Sequence, residues 1–124
     1  MKNLTYFISG VLLATLALGL GTNMAMAQDL AKMSPDDVKV IVDNDRVRVL
    51  EVLHKPGAKE PMHSHPAGVV VSLSASTMKA TTPDGKTLQR DWKVGEVRWN
   101  EGITHAVENV GTTDQHIIVI ELKK

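Results

Sequence analysis

The sequence predicts one small all-β domain, an antiparallel barrel or sandwich, behind a short export leader. Three observations predict it. About eight or nine short β-branched stretches are separated at near-regular intervals by Gly, Pro, Asp and Asn. No segment after Ala27 holds a sustained 3.6-residue apolar period. The length of 124 residues suits a single domain.

The leader comes first. Lys2 gives a positive start, Leu4 to Leu20 is apolar apart from small and hydroxyl residues, and Ala25-Met26-Ala27 fits the small-x-small pattern of signal peptidase. Residues 1–27 are therefore read as a signal peptide cleaved after Ala27. The protein is then periplasmic or secreted, with no stable membrane anchor after cleavage. The chain has no cysteine, which excludes disulfides, thiolate metal sites and lipid attachment at cysteine. Fourteen basic residues balance fourteen acidic ones, so no electrostatic footprint for nucleic acid exists. All five histidines follow the leader, a high count for so short a domain.

Residues 28–37 are polar and expected to be flexible, with Ser34 to Asp37 able to form one helical turn. Residues 38–124 form the barrel. Val38 to Val42 is a short strand, and Asp43, Asn44 and Asp45 turn the chain. Arg46 to His54 nearly alternates and is a strand ended by Pro56 and Gly57. Gly68 to Ser74 suits a buried strand. Thr77 to Thr82 and Thr87 to Trp92 flank Pro83-Asp84-Gly85-Lys86, a hairpin signal. Val97 to Trp99, Thr104 to Val110 and His116 to Leu122 complete the set.

The chemical signal lies in the histidines. His63 and His65 stand at i and i+2, so an extended backbone puts both on one face. Two imidazoles on one face can share a metal ion, with bonds of about 2.0–2.1 Å for zinc. A third ligand must come from another strand, and His105 opens one. Gly57 and Gly95 precede the two histidine segments and permit the tight turns that feed them.

These residues resemble the two motifs of the cupin family. Gly57 to His65 resembles the start of the first, G-x5-H-x-H-x(3,4)-E-x6-G. Gly95 to Asn109 resembles the second, G-x5-P-x-G-x2-H-x3-N. The resemblance runs from about Val38 to Leu122. It implies a small antiparallel jelly-roll barrel with a divalent metal at His63, His65 and His105, and a homodimer. The edge strands, expected at Val38 to Val42 and His116 to Leu122, are apolar enough to need cover.

The sequence departs from the pattern at four points. The first-motif glutamate would fall at Val69 or Val70, and neither can coordinate. The second-motif proline falls near Glu101. The Gly95-to-His105 interval is one residue short, so the loop before His105 is expected to be tighter. The closing glycine of the first motif has no clear counterpart. The resemblance extends to three-histidine cupins without the carboxylate, of which thiol dioxygenases are the best-known kind. The site is either such a centre or a decayed one. Keeping three histidines in a core that could use apolar residues favours the centre.

Fe(II), Zn, Mn, Ni and Cu all suit imidazole ligands, and the sequence does not choose among them. The function expected is that of an exported metal-binding cupin with a small-molecule ligand or substrate. The alternative is an Fe(II)-dependent dioxygenase acting on a small organic molecule. Glu101 and His54 are the candidate general bases. His54 otherwise reads as a strand-end histidine with a solvated tip. His116 reads as surface and Asn109 as a loop-bonding residue, while Met62 and Met78 read as core filler. Trp92 and Trp99 can line a cavity, though at least one is expected to fill core. Arg98 is expected at the surface.

Overall fold

The structure, a computed structural model, describes residues 28–124. The expected signal peptide lies outside the described residues. Among the described residues, no helix is long and apolar enough to cross a membrane.

One short helix precedes nine strands. They are α1 (Leu30–Met33), β1 (Val38–Asp43), β2 (Val47–His54), β3 (Lys59–His65), β4 (Gly68–Ser72), β5 (Ser76–Thr81), β6 (Thr87–Trp92), β7 (Val97–Asn100), β8 (Ile103–Asn109) and β9 (Gln115–Leu122). All strand pairs are antiparallel. A five-stranded sheet runs β1-β2-β9-β4-β7, and a four-stranded sheet runs β3-β8-β5-β6. The all-β jelly-roll architecture is the one the sequence predicts. Gly57 and Gly95 take φ of 84° and 78°, left-handed values that only glycine adopts at little cost.

β2 and β9 form the spine of the core. Their register sets Leu50 opposite Val119 and Val52 opposite Ile117. These four, with Leu30 and Val38, form the buried apolar cluster. Period-2 alternation dictates that the inward face of β9 is Gln115, Ile117, Val119 and Glu121, all buried. The same parity on β2 turns Arg48, Leu50, Val52 and His54 inward. Polar pairs therefore close both ends of the apolar stretch: Arg48 faces Glu121, and His54 faces Gln115.

Two expectations about the chain ends change. β9 is a central strand between β2 and β4, whereas an edge was expected. Its outward Ile118 and Ile120 hide the alternation, and a strand apolar on both faces suits the middle of a sheet. The turn expected at Ser34 to Asp37 closes, the Ser34 carbonyl accepting from the Asp37 and Val38 N–H groups at 3.1 and 2.9 Å, and the helix α1 precedes it at Leu30–Met33. Asp29 caps α1, accepting a hydrogen bond from the Ala31 N–H at 3.1 Å. Segment 28–37, expected to be flexible, lays Leu30 into the core with only 3 % of its surface exposed.

Candidate metal centre

β3 and β8 bring the three histidines together. Their register sets His63 directly opposite His105, and His65 follows two residues on, on the same face. Ring centroids are 4.9 Å apart for His63–His65, 4.7 Å for His63–His105 and 5.7 Å for His65–His105. One ring nitrogen from each lies within 4.8 Å of the others. The short link before His105 consists of Glu101 and Gly102, which carry the chain from β7 in one sheet to β8 in the other.

Hydrogen bonds orient two of the rings. His63 Nδ1 donates to the Pro61 carbonyl at 2.8 Å, and His65 Nδ1 donates to Glu121 Oε1 at 2.9 Å. Each bond fixes the proton on Nδ1 and leaves the Nε2 lone pair for a ligand. Burial, with His63 and His65 nearby, pushes His105 down to about 3. Burial likewise lowers His63. Three imidazoles that share no hydrogen bond with one another form a donor set that fits a borderline divalent cation.

Behind His65 runs a chain of ionic contacts. Glu121, 3 % exposed, also accepts from Arg48 Nε at 2.7 Å, and Arg48 reaches Asp29 Oδ2 at 2.7 Å. Burial works against the Glu121 carboxylate, but the bonds from His65 and Arg48 outweigh it and hold its pKa below the ordinary value. The bond from Arg48 holds Asp29 low as well. The residue that caps α1 is thus linked to a candidate metal ligand through two side chains.

His54 corrects the sequence expectation. It has no solvated tip: it is 2 % exposed, with Nε2 2.8 Å from Glu60 Oε1 and Nδ1 2.9 Å from Gln115 Oε1. The Ser34 hydroxyl donates to the other Glu60 oxygen. Asp37, His54 and Glu60 form a second group with ligand atoms within 4.8 Å. His54 does not join the histidine trio. Asn109 behaves as expected, donating to the His54 and Thr113 carbonyls at 2.9 Å each. Met78 is buried as expected, and His116 is half-buried with Nε2 2.8 Å from Glu51.

A cavity of about 640 Å³ opens from the trio, lined by both tryptophans, Arg98, Glu101 and His54. Neither tryptophan is core filler: Trp92 is half-buried and Trp99 is 53 % exposed. Arg98 is not simply a surface residue. Opposite Val70 in register, it turns toward the cavity with its guanidinium 4.1 Å from the centre of the Trp92 ring. Glu101 is exposed on the lining.

Sequence reasoning missed Glu60 and Glu121. Glu121 was within reach, since it shares parity with Val119 and Ile117. Glu60 was not. It lies three residues from His63, yet both are buried, because the β3–β8 register shifts between them.

No family model matches the chain, and no curated protein does. Solved structures do. A cupin domain from Bordetella pertussis Tohama I is 30 % identical, with a TM-score of 0.65, over 70 % of this chain and 92 % of that one. The chain belongs to the cupin family. Two more distant cupin-like folds are similar in architecture alone. A cupin superfamily protein from Desulfitobacterium hafniense DCB-2 is 15 % identical, with a TM-score of 0.54, over 70 % of this chain and 76 % of that one. The polyketide cyclase RemF from Streptomyces resistomycificus is 20 % identical, with a TM-score of 0.53, over 70 % and 64 %. The structure also decides where this cupin lacks its first-motif carboxylate. Val70 pairs with Val119 and lines the cavity, so it occupies the inward position of the two, and Val69 turns away.

Proposed function

We propose that this cupin is an exported protein that holds one divalent metal ion on His63, His65 and His105 and presents it to a small molecule in the adjoining cavity. The observation that carries the reading is the pair of Nδ1 bonds, His63 to Pro61 and His65 to Glu121. Both rings are held in the tautomer that leaves Nε2 free, on neighbours of a third, neutral imidazole. Glu121 is the kind of carboxylate that orients a metal-bound histidine in known sites. A bound divalent ion with three neutral protein ligands supplies a Lewis-acidic centre with coordination positions left for water or substrate.

Metal content of the purified protein tests it. The expected result is about one equivalent of a divalent ion per chain, lost in His63→Ala, His65→Ala and His105→Ala. Full retention in all three variants overturns the reading. The lack of a carboxylate ligand, together with the contiguous cavity, favours a second reading: an Fe(II)-dependent dioxygenase for a small organic substrate. In it Glu101 is the side chain free to exchange a proton at the cavity, since His54 is already engaged by Glu60 and Gln115. Anaerobic Fe(II) loading followed by oxygen uptake against small thiols, diketones and phenolic acids separates the two. Uptake that depends on His105 supports the enzyme.

A further inference from the structure

We infer that the cavity takes a small organic acid, an apolar body ending in a carboxylate, and that Arg90 holds the carboxylate at the mouth. The inference deepens the proposed function and names the ligand class for that same cavity.

The argument begins with β6. Its register sets Leu88, Arg90 and Trp92 opposite Ala80, Met78 and Ser76 of β5, whose Met78 is buried. Arg90 therefore lies on the cavity side of its strand and lines the cavity, with its side chain exposed at the opening. An arginine at an inward position, flanked two residues either way by Leu88 and Trp92, breaks the alternation that packing alone would select. Arg90 makes no ion pair with any described residue. β7 also turns an arginine inward, Arg98 opposite Val70, but Arg98 is already engaged, donating from Nε to Glu96 Oε1 at 2.7 Å.

Topology places these two arginines at an opening. β6 ends the four-stranded sheet and β7 ends the five-stranded one. The two free edges meet through Arg98, which lies over Trp92 and donates to the Asp91 carbonyl at 3.2 Å. On the far side of the barrel, Leu30 of α1 is buried in the core. The way in is thus between the edges that carry the arginines.

Charge then selects the ligand. Of the basic side chains on the lining, Lys86 has Asp84 and Arg98 has Glu96 as partners, which leaves Arg90, and the wall toward the histidines is mostly apolar, with Met78, Val107 and Ile117. A cavity with an apolar waist and an unpaired guanidinium on its lining complements a carboxylate on a compact hydrocarbon or aromatic body. The acid end sits on Arg90, and the body points toward the histidine trio. A purely structural purpose for Arg90 also exists, since inward charges on edge strands discourage sheet-to-sheet association. The experiment distinguishes the two.

Titration calorimetry on the purified protein, zinc-loaded and chelator-stripped, compares hexanoate and benzoate with hexanamide and benzamide. The acids are expected to bind about tenfold or more tighter than the amides, as a charge-assisted bond predicts. Arg90→Gln should remove about that factor for the acids and leave the amides unchanged, and Arg90→Lys should restore part of it. Amides that bind as well as acids, an Arg90→Gln variant with unaltered acid binding, or no binding by any probe overturns the inference. Self-association of Arg90→Gln with unaltered acid binding assigns the residue to edge protection instead. The stripped protein keeps the tests apart. Failure to bind any divalent ion sinks the proposed metal centre, while an Arg90-dependent preference for acids in the stripped state still upholds the ligand class.

Discussion

Replacing Glu121 with Gln removes one charge while keeping side-chain shape, and its effects can be worked out from the contacts. Glu121 accepts from His65 Nδ1 at 2.9 Å and from Arg48 Nε at 2.7 Å. The two donors bond different oxygens of Glu121, and Gln replaces one of those oxygens with an amino group, so in the same rotamer one donor loses its acceptor. That donor meets an N–H in a site where only 3 % of residue 121 is exposed. An unpaired buried donor costs about 1–3 kcal/mol of stability. If Arg48 keeps the oxygen, His65 loses the bond that fixes its tautomer, and loss of such a partner lowers metal affinity by about 10–100-fold. That factor corresponds to about 1.4–2.7 kcal/mol of binding. Zinc competition against a chromogenic chelator measures the affinity, and thermal unfolding of the metal-free protein measures the stability. Glu51→Gln is the control, because Glu51 bonds His116 away from the trio. A Glu121→Gln variant that is less stable but binds zinc as tightly as the parent refutes the reasoning, and Glu121 then serves architecture only.

Four further outcomes follow from the same structure. In metal-free protein, His105 has a folded pKa of about 3 against an ordinary 6.5, so the unfolded chain takes up the proton first as pH falls. Stability is complete above 6.5 and declines from there toward 3, by up to about 1.4 kcal/mol per pH unit; urea midpoints that stay flat between about pH 8 and about pH 5 contradict this. Val70→Glu returns a carboxylate to the inward position beside the trio and should tighten zinc binding about tenfold or more while destabilising the metal-free form; chelator competition reads the first and thermal unfolding the second. Leu30→Ala should lower stability by about 2–5 kcal/mol, since the side chain packs in the main apolar cluster; a midpoint matching the parent in urea contradicts it. Light scattering should give a dimer that Ile41→Asp dissociates, because Val40, Ile41 and Val42 on edge strand β1 are 46 %, 49 % and 42 % exposed.

Much of the barrel is legible in the sequence because strand-forming residues and turn residues alternate along it. β6 is bounded as expected, and the hairpin signal Pro83 to Lys86 joins β5 to β6. The histidine trio is legible for a similar reason: the i, i+2 spacing survives any register, and only the partner strand has to be found. Strand position within a sheet is harder to read, because an apolar run such as Ile117 to Ile120 is compatible with an edge awaiting a partner or with a buried centre. The fate of His54 also lies beyond local pattern. Its burial depends on Glu60, which a register shift turns inward, and on Gln115, which lies across the sheet. Leu30 shows the same limit at the N-terminus. A polar stretch with one leucine reads as loose chain until the cluster that receives the leucine is known.

The position of β9 sets an order of assembly. Ribosomes make this strand after the other eight described strands, yet it is the middle strand of the five-stranded sheet, holding β2 on one side and β4 on the other. Until its residues emerge, β2 and β4 have no shared neighbour, Arg48 has no Glu121, and His65 has nothing to fix its ring. The ring of His65 is thus the last of the trio to be oriented. A nascent chain stalled between His105 and Glu121 carries all three histidines without the carboxylate that fixes His65. Closure of the five-stranded sheet therefore waits on pairings that span most of the described residues, β2 with β9 above all, and such non-local contacts are the slow step of all-β folding.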